Sequence, residues 1–241
     1  MGVKSLFASV VLLLIISFAT NSNAQTKPSF EFFHMEIKVN PQNESSLLTL
    51  LENVADSLPS DIKLTLGEKI FTATDATHEI NFSSQDGEGL IAIMSPENNS
   101  DRIKFLHELR NLVDVKKTVR GIRLFHFGGK DVRPDTKKRS TYYCYWQVNS
   151  SQPEETVRMF QVFAKDFAHL RKDNSVGLGQ NIAGTEGETH YYLHTFDSYR
   201  EYVEIMNTYM SSEKFQKHLA ATKNFESPVD SGLTKILKQW N

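Results

Sequence analysis

Phe33, Met35, Ile37 and Val39 alternate with His34, Glu36 and Lys38, the two-residue period of a strand with one buried face. Beyond Pro41, Leu47, Leu51, Val54 and Leu58 recur at helical spacing until Pro59-Ser60-Asp61 stops them. The pattern then predicts a strand over 62–72, a turn around Asp75 and a strand over 77–83, together a hairpin. A short helix is expected over 86–94. Pro96-Glu97-Asn98-Asn99 breaks it, and a second helix over 101–113 leads to a strand over 121–127. The order is β-α-β-β-α-β.

The second half reads the same way. Thr141 to Val148 is an aromatic strand, and Ser151-Gln152-Pro153-Glu154 has the form of a capping box with proline in the first turn. Val157, Phe160, Phe163, Phe167 and Leu170 give the helix behind it one apolar face, out to about Lys172. Strands over 176–183 and 188–196 flank the turn Thr185-Glu186-Gly187. A helix over 199–210 follows, Ser211-Ser212 can cap another, and Pro228 and Gly232 precede a last strand over 233–240. Residues 66–106 also align without a gap on 178–218, with Leu66/Leu178, Gly67/Gly179, Ile70/Ile182, Thr77/Thr189, His78/His190, Ile93/Ile205, Met94/Met206 and Ser100/Ser212 identical. Duplication follows, with repeats at 25–128 and 141–241. The linker 129–140 carries Lys130, Arg133, Lys137, Lys138 and Arg139. No aromatic residues interleave there, so a solvated linker is preferred to an anion or membrane patch.

A sheet with helices on one face leaves its other face bare, and two such sheets in one chain can cover each other. The expected fold class is therefore α+β, two tandem ferredoxin-like repeats forming an intramolecular α+β barrel. This order, together with Ser211-Ser212-Glu213-Lys214-Phe215-Gln216-Lys217-His218-Leu219 placed after the strand His190 to Phe196, resembles the dimeric α+β barrel superfamily and its antibiotic-biosynthesis-monooxygenase-like units. The resemblance implies a range of roles: cofactor-free oxygenases, haem-degrading enzymes and chlorite-dismutase-like haem proteins. No single branch's catalytic motif transfers to this chain, and fold alone assigns no function.

Lys4, the apolar run Leu6 to Phe18 and Ser22-Asn23-Ala24 form a signal peptide over 1–24, so a secreted or periplasmic mature chain is expected, without membrane attachment after cleavage. A net charge of −2 and no basic block argue against a nucleic-acid partner. Cys144 is the only cysteine and reads as a buried structural thiol. Sequons begin at Asn43, Asn81, Asn98 and Asn149, and they matter only where exported proteins are glycosylated.

His190 and His194 lie four apart on one strand and so share a face. His190 has a counterpart in His78, which favours a structural duty. His194 replaces Phe82 and is the better candidate for a repeat-specific role. Pairing Phe33 with Tyr142 places Tyr143, Tyr145 and Gln147 on the face turned to the other sheet. There their hydroxyls line a pocket or plug the barrel. HExxH, P-loop, GxSxG and CxxC motifs are missing, and no metal site is expected. The first reading is an exported protein binding a small aromatic or planar ligand between its two sheets through Tyr143, Tyr145, Gln147, His190 and His194. One alternative is a monooxygenase-like or haem-handling enzyme with His194 as ligand or base. Another is an interaction module with a filled barrel. No cofactor motif is evident, and haem is the cofactor that the resemblance allows. The chain is expected as a monomer or homodimer.

Overall fold

The computed structural model describes residues 30–85, 90, 100–128, 141–171 and 174–240. The strands are β1 (Glu31–Val39), β2 (Lys63–Phe71), β3 (His78–Ser84), β4 (Val113–Gly128), β5 (Tyr142–Ser150), β6 (Ser175–Ala183), β7 (His190–Phe196) and β8 (Glu226–Trp240). The helices are α1 (Glu44–Ala55), α2 (Ser100–Leu112), α3 (Pro153–Asp166), α4 (Ala168–Arg171), α5 (Tyr199–Ser211) and α6 (Glu213–Thr222). The strands close into one antiparallel barrel in the order β1-β3-β2-β8-β5-β7-β6-β4. The halves meet twice, at β2–β8 and at β4–β6. The helix expected over 86–94 lies almost entirely outside the described residues, as do the signal peptide and the linker 129–140.

Every strand thus has a face toward the barrel interior and a face toward helices. On the helix side, Met35, Ile37, Leu64, Ile80 and Phe82 pack on Leu47, Leu51 and Leu109 in the first half. Cys144, Val176, Leu178, Phe196 and Leu233 pack on Phe160, Phe163, Ile205 and Tyr209 in the second. Cys144 is buried among them.

Several boundaries differ from the pattern. β4 begins at Val113, eight residues before the expected strand, because a bulge opposite Glu36 and Ile37 breaks the alternation of Val113-Asp114-Val115-Lys116-Lys117. β8 begins at Glu226 and contains Pro228, which the ladder tolerates at a bulge opposite Gln147 and Val148. α3 stops at Asp166, and α4 follows beyond Phe167, whose ring packs against Tyr209 at 4.9 Å. The Ser151 capping box does not form: Gln152 is the N-cap without a side-chain bond, and Ser151 Oγ donates to Phe225 O. The capping serine is instead Ser198, which accepts from Glu201 N at 3.2 Å, while Glu201 accepts from Asp197 N at 2.8 Å.

One local device occurs in both halves. Thr77 Oγ1 accepts from Val39 N and lies 2.9 Å from His78 Nδ1, while Thr77 N donates to Ile37 O. Thr189 Oγ1 accepts from Ser150 N and lies 2.9 Å from His190 Nδ1, while Thr189 N donates to Val148 O. Each threonine ties the start of its strand to the neighbouring strand, and burial holds each histidine below its ordinary pKa, in the neutral form that can accept the hydroxyl proton. Ile37 therefore corresponds to Val148, which pairs Phe33 with Cys144 and not with Tyr142. The error is two residues, an even shift, so every side chain keeps its face.

Thr77→Val and Thr189→Val should each lower stability by about 1–2 kcal/mol, the cost of leaving a buried backbone donor unpaired. Urea unfolding measures it, and a loss below about 0.3 kcal/mol at both positions contradicts the stapling role.

Candidate functional site

The barrel interior is built from alternate residues of all eight strands, and charge fills one end of it. Glu36, Lys69 and Glu79 have side-chain exposures of 0, 0 and 1%. Lys69 Nζ lies 2.9 Å from Glu36 Oε1 and 2.8 Å from Glu79 Oε2. Tyr145 Oη donates to Glu36 Oε1 at 3.0 Å and lies 3.1 Å from Lys69 Nζ, whose ammonium also sits 4.4 Å from the Tyr145 ring centre. Thr74 and Thr234 donate to Glu36 and Glu79, and His34 Nε2 stands 3.8 and 4.0 Å from those carboxylates.

Burial alone would raise the Glu36 carboxyl, but His34 and Lys69 outweigh it and hold it well below the usual range. Burial would likewise lower the Lys69 ammonium, yet Glu79, Tyr145 and Glu36 raise it. The Tyr145 hydroxyl is pushed up by burial, so it remains protonated. Asp230, 3.5 Å from Tyr145 Oη, is also pushed up, by burial and then by Glu36.

Aromatic rings close the middle of the lumen by lying on glycines of the paired strand. Phe32 faces Gly121, Tyr191 faces Gly179 and Tyr145 faces Gly232. A Cβ on Gly179 would come within 2.0 Å of the Tyr191 ring. A recess of about 100 Å³ lies at the end where β1 begins. That is less than the ~150 Å³ cavity known to hold benzene. The planar ligand expected between the two sheets would meet a recess smaller than that at this end of the lumen.

The five candidate residues divide between two spaces. Tyr143, Tyr145 and Gln147 face the lumen. His190 and His194 face the helices, with Tyr192 between them. His190 is occupied in the Thr189 staple. His194 is fully buried and lines a groove of about 710 Å³ between the outer face of β5, β7 and β8 and helices α3, α5 and α6. That volume is within the range of small-molecule sites. Trp146, Phe160, Phe163, Tyr192 and Phe215 supply its aromatic walls.

Among the groove's lining residues, His194 Nε2 and His218 Nδ1 lack partners, as do Gln147 Oε1 and Asp230 Oδ1. His194 Nδ1 lies 3.3 Å from Tyr209 Oη. Burial, reinforced by the charge of Arg171, brings the His194 pKa down to about 3, so the ring is neutral. When Nδ1 carries the proton and donates to Tyr209, the lone pair is left on Nε2. At the far end, Tyr192 Oη donates to Glu226 Oε1 at 2.5 Å, and burial pushes that carboxyl up. The sequence reading singled out His194 but did not single out His218, the groove walls or the Glu36–Lys69–Glu79 cluster. The available signal was a charge at alternate positions of otherwise apolar strands.

The lumen cluster makes two predictions. Lys69→Met should destabilise the fold by about 3–5 kcal/mol, since it strands two buried carboxylates, and adding Glu36→Gln should recover part of the loss. Because the folded-state pKa of Glu36 is depressed, its contribution is complete above the unfolded carboxylate value and is lost as pH falls below it. Denaturant midpoints from pH 7 down to pH 3 should therefore fall less steeply in Glu36→Gln than in the parent. Equal slopes would refute the assignment.

No protein-family profile and no curated protein matches the sequence. Solved structures do match. An anthrone oxidase-like protein superposes with a TM-score of 0.62 at 11% identity, over 89% of this chain and 93% of its own. A heme-binding protein from Thermus thermophilus gives 0.58 at 7% identity, over 87% and 92%. A mutant chlorite dismutase from Candidatus Nitrospira defluvii gives 0.56 at 7%, over 88% and 92%. At such identities the likeness speaks to fold, and it agrees with the closed eight-stranded barrel and its outer helices: the chain has the fold of the dimeric α+β barrel superfamily.

Proposed function

We propose that this protein binds a planar, mostly apolar small molecule in the groove between β5, β7, β8 and helices α3, α5 and α6. The observation that carries this reading is the pairing of a 710 Å³ aromatic-walled space with a neutral, fully buried His194 whose Nε2 is unpartnered. An unpaired buried nitrogen is costly unless something binds it.

A haem-like tetrapyrrole suits these residues in size and donor set. His194 would hold the iron through Nε2, Tyr209 would steady the imidazole through Nδ1, and Phe163, Tyr192 and Phe215 would supply apolar contacts. Bound haem would supply iron-centred redox chemistry. The heme-binding neighbour supports this ligand class, and the anthrone oxidase-like neighbour supports a polycyclic aromatic as the other. We further infer that the barrel arose by duplication of a ferredoxin-like unit. Its support is the recurrence of β4-β1-β3-β2 as β8-β5-β7-β6, and of Thr77-His78 as Thr189-His190. Export through the 1–24 signal remains part of the proposal.

Titrating the purified protein with haem should give a Soret band saturating at one haem per chain. His194→Ala should weaken it at least tenfold while leaving the circular dichroism unchanged. A band that persists in His194→Ala but vanishes in His218→Ala moves the ligand role to His218, and no saturable binding of haem or of anthrone removes the reading. For export, the N-terminus of secreted material should be Gln25, read by peptide mass. An intact Met1 would contradict the signal.

A further inference from the structure

We infer that the ligand of the groove carries a cationic amine, placed at the end where Asp230 and Gln147 line it. The inference rests on the reading that the groove binds a planar, mostly apolar molecule. It adds that molecule's charge and its orientation.

The unpartnered atoms of the groove's described lining residues are His194 Nε2, His218 Nδ1, Gln147 Oε1 and Asp230 Oδ1. None is an obligate donor. Both oxygens accept, and a neutral imidazole nitrogen accepts when the other nitrogen holds the proton. A ligand that satisfies them must therefore donate. Gln147 is only 7% exposed, and it pairs with Asp230 across β5 and β8. A bulge follows directly after it, and there its side chain lines the groove as well as the lumen recess.

Charge decides between a neutral donor and an ammonium. Asp230 and Glu226 line the groove with a single ammonium, that of Lys223, which is exposed. Asp230 Oδ2 lies 3.5 Å from Tyr145 Oη, and Lys117 and Lys69 favour its ionised form, yet burial and Glu36 outweigh them. A cation beside Oδ1 would supply the missing countercharge. The other end does not suit a cation, since the charge of Arg171 already acts on His194 there. His194 pairs with Cys144 and Asp230 with Gln147, three positions along β5. At about 3.3 Å per residue the two ends stand roughly 10 Å apart, the span of a three-ring aromatic. Between them Trp146 and its pair Tyr192 add aromatic walls, which attract an ammonium and repel a carboxylate. Of the two ligand classes above, the polycyclic aromatic is therefore favoured, because haem carboxylates would meet carboxylates at this end.

The test is fluorescence titration of the intact protein with 2-methylanthracene and its hydroxymethyl, aminomethyl and carboxylate analogues. The aminomethyl compound should bind roughly tenfold more tightly than the methyl compound, and the carboxylate more weakly than either. Asp230→Asn, which keeps the shape of the side chain, should remove the preference for the amine. It should leave the affinity for the methyl compound within about twofold. If Asp230→Asn does not fold by circular dichroism, the ranking of amine against carboxylate on the unaltered protein decides alone. Tightest binding of the hydroxymethyl compound overturns the inference in favour of a neutral donor. Saturable binding of the methyl compound without preference for the amine also overturns it, while the groove keeps its ligand role. No saturable binding by any of the four removes that role and the inference with it.

Discussion

The ammonium of Lys69 held between Glu36 and Glu79 is the interaction on which this barrel turns. Closing eight strands forces their inner faces together, and whatever stands there must be both packed and paired. A lone buried charge would be intolerable, but two carboxylates, an ammonium, a protonated tyrosine and two threonine hydroxyls largely satisfy one another. The cluster also joins the halves, because Glu36, Lys69 and Glu79 come from β1, β2 and β3 while Tyr145 and Thr234 come from β5 and β8. An apolar plug could fill the same volume. It would not fix the relative register of the two halves as narrowly as donors and acceptors at hydrogen-bond distance do.

With the lumen occupied, the larger space moves to the other side of the sheet. Among the described residues of the first half, Leu47, Leu51 and Leu109 pack on Ile37, Leu64 and Ile80, with Phe82 and Phe105 beside them. In the second, flat rings pack on one another across α3, α5 and α6, as Phe163 does on Tyr209 at 5.4 Å and Tyr209 on Phe215 at 5.5 Å. Rings in edge and face contact hold helices at a distance, and the groove is what that distance leaves.

Much of the fold was legible because burial imposes a period. The alternation of Phe33 to Val39 and the aromatic stripe of α3 report a helix-facing side directly, and the ungapped match around Thr77-His78 and Thr189-His190 marks a staple that recurs. Where a bulge interrupts the period the signal fails, as at the start of β4 and at Pro228 in β8. The candidate site was legible in part. Placing Tyr143, Tyr145 and Gln147 on one face and His190 and His194 on one face of another strand needs only parity, which survived a pairing error of two residues.

The sequence by itself determined the order of elements, the face of residues in strands without a bulge and the presence of charge at inward positions. Only the tertiary structure decided that these inward charges meet in one cluster, that Tyr145 plugs the lumen, and that His194 looks out into a groove while Tyr143 looks in. The reason is that periodicity records a residue's direction relative to its own strand. Which strands become neighbours, and how much room their side chains leave, depends on contacts between residues far apart in the chain, as when Thr234 reaches Glu79.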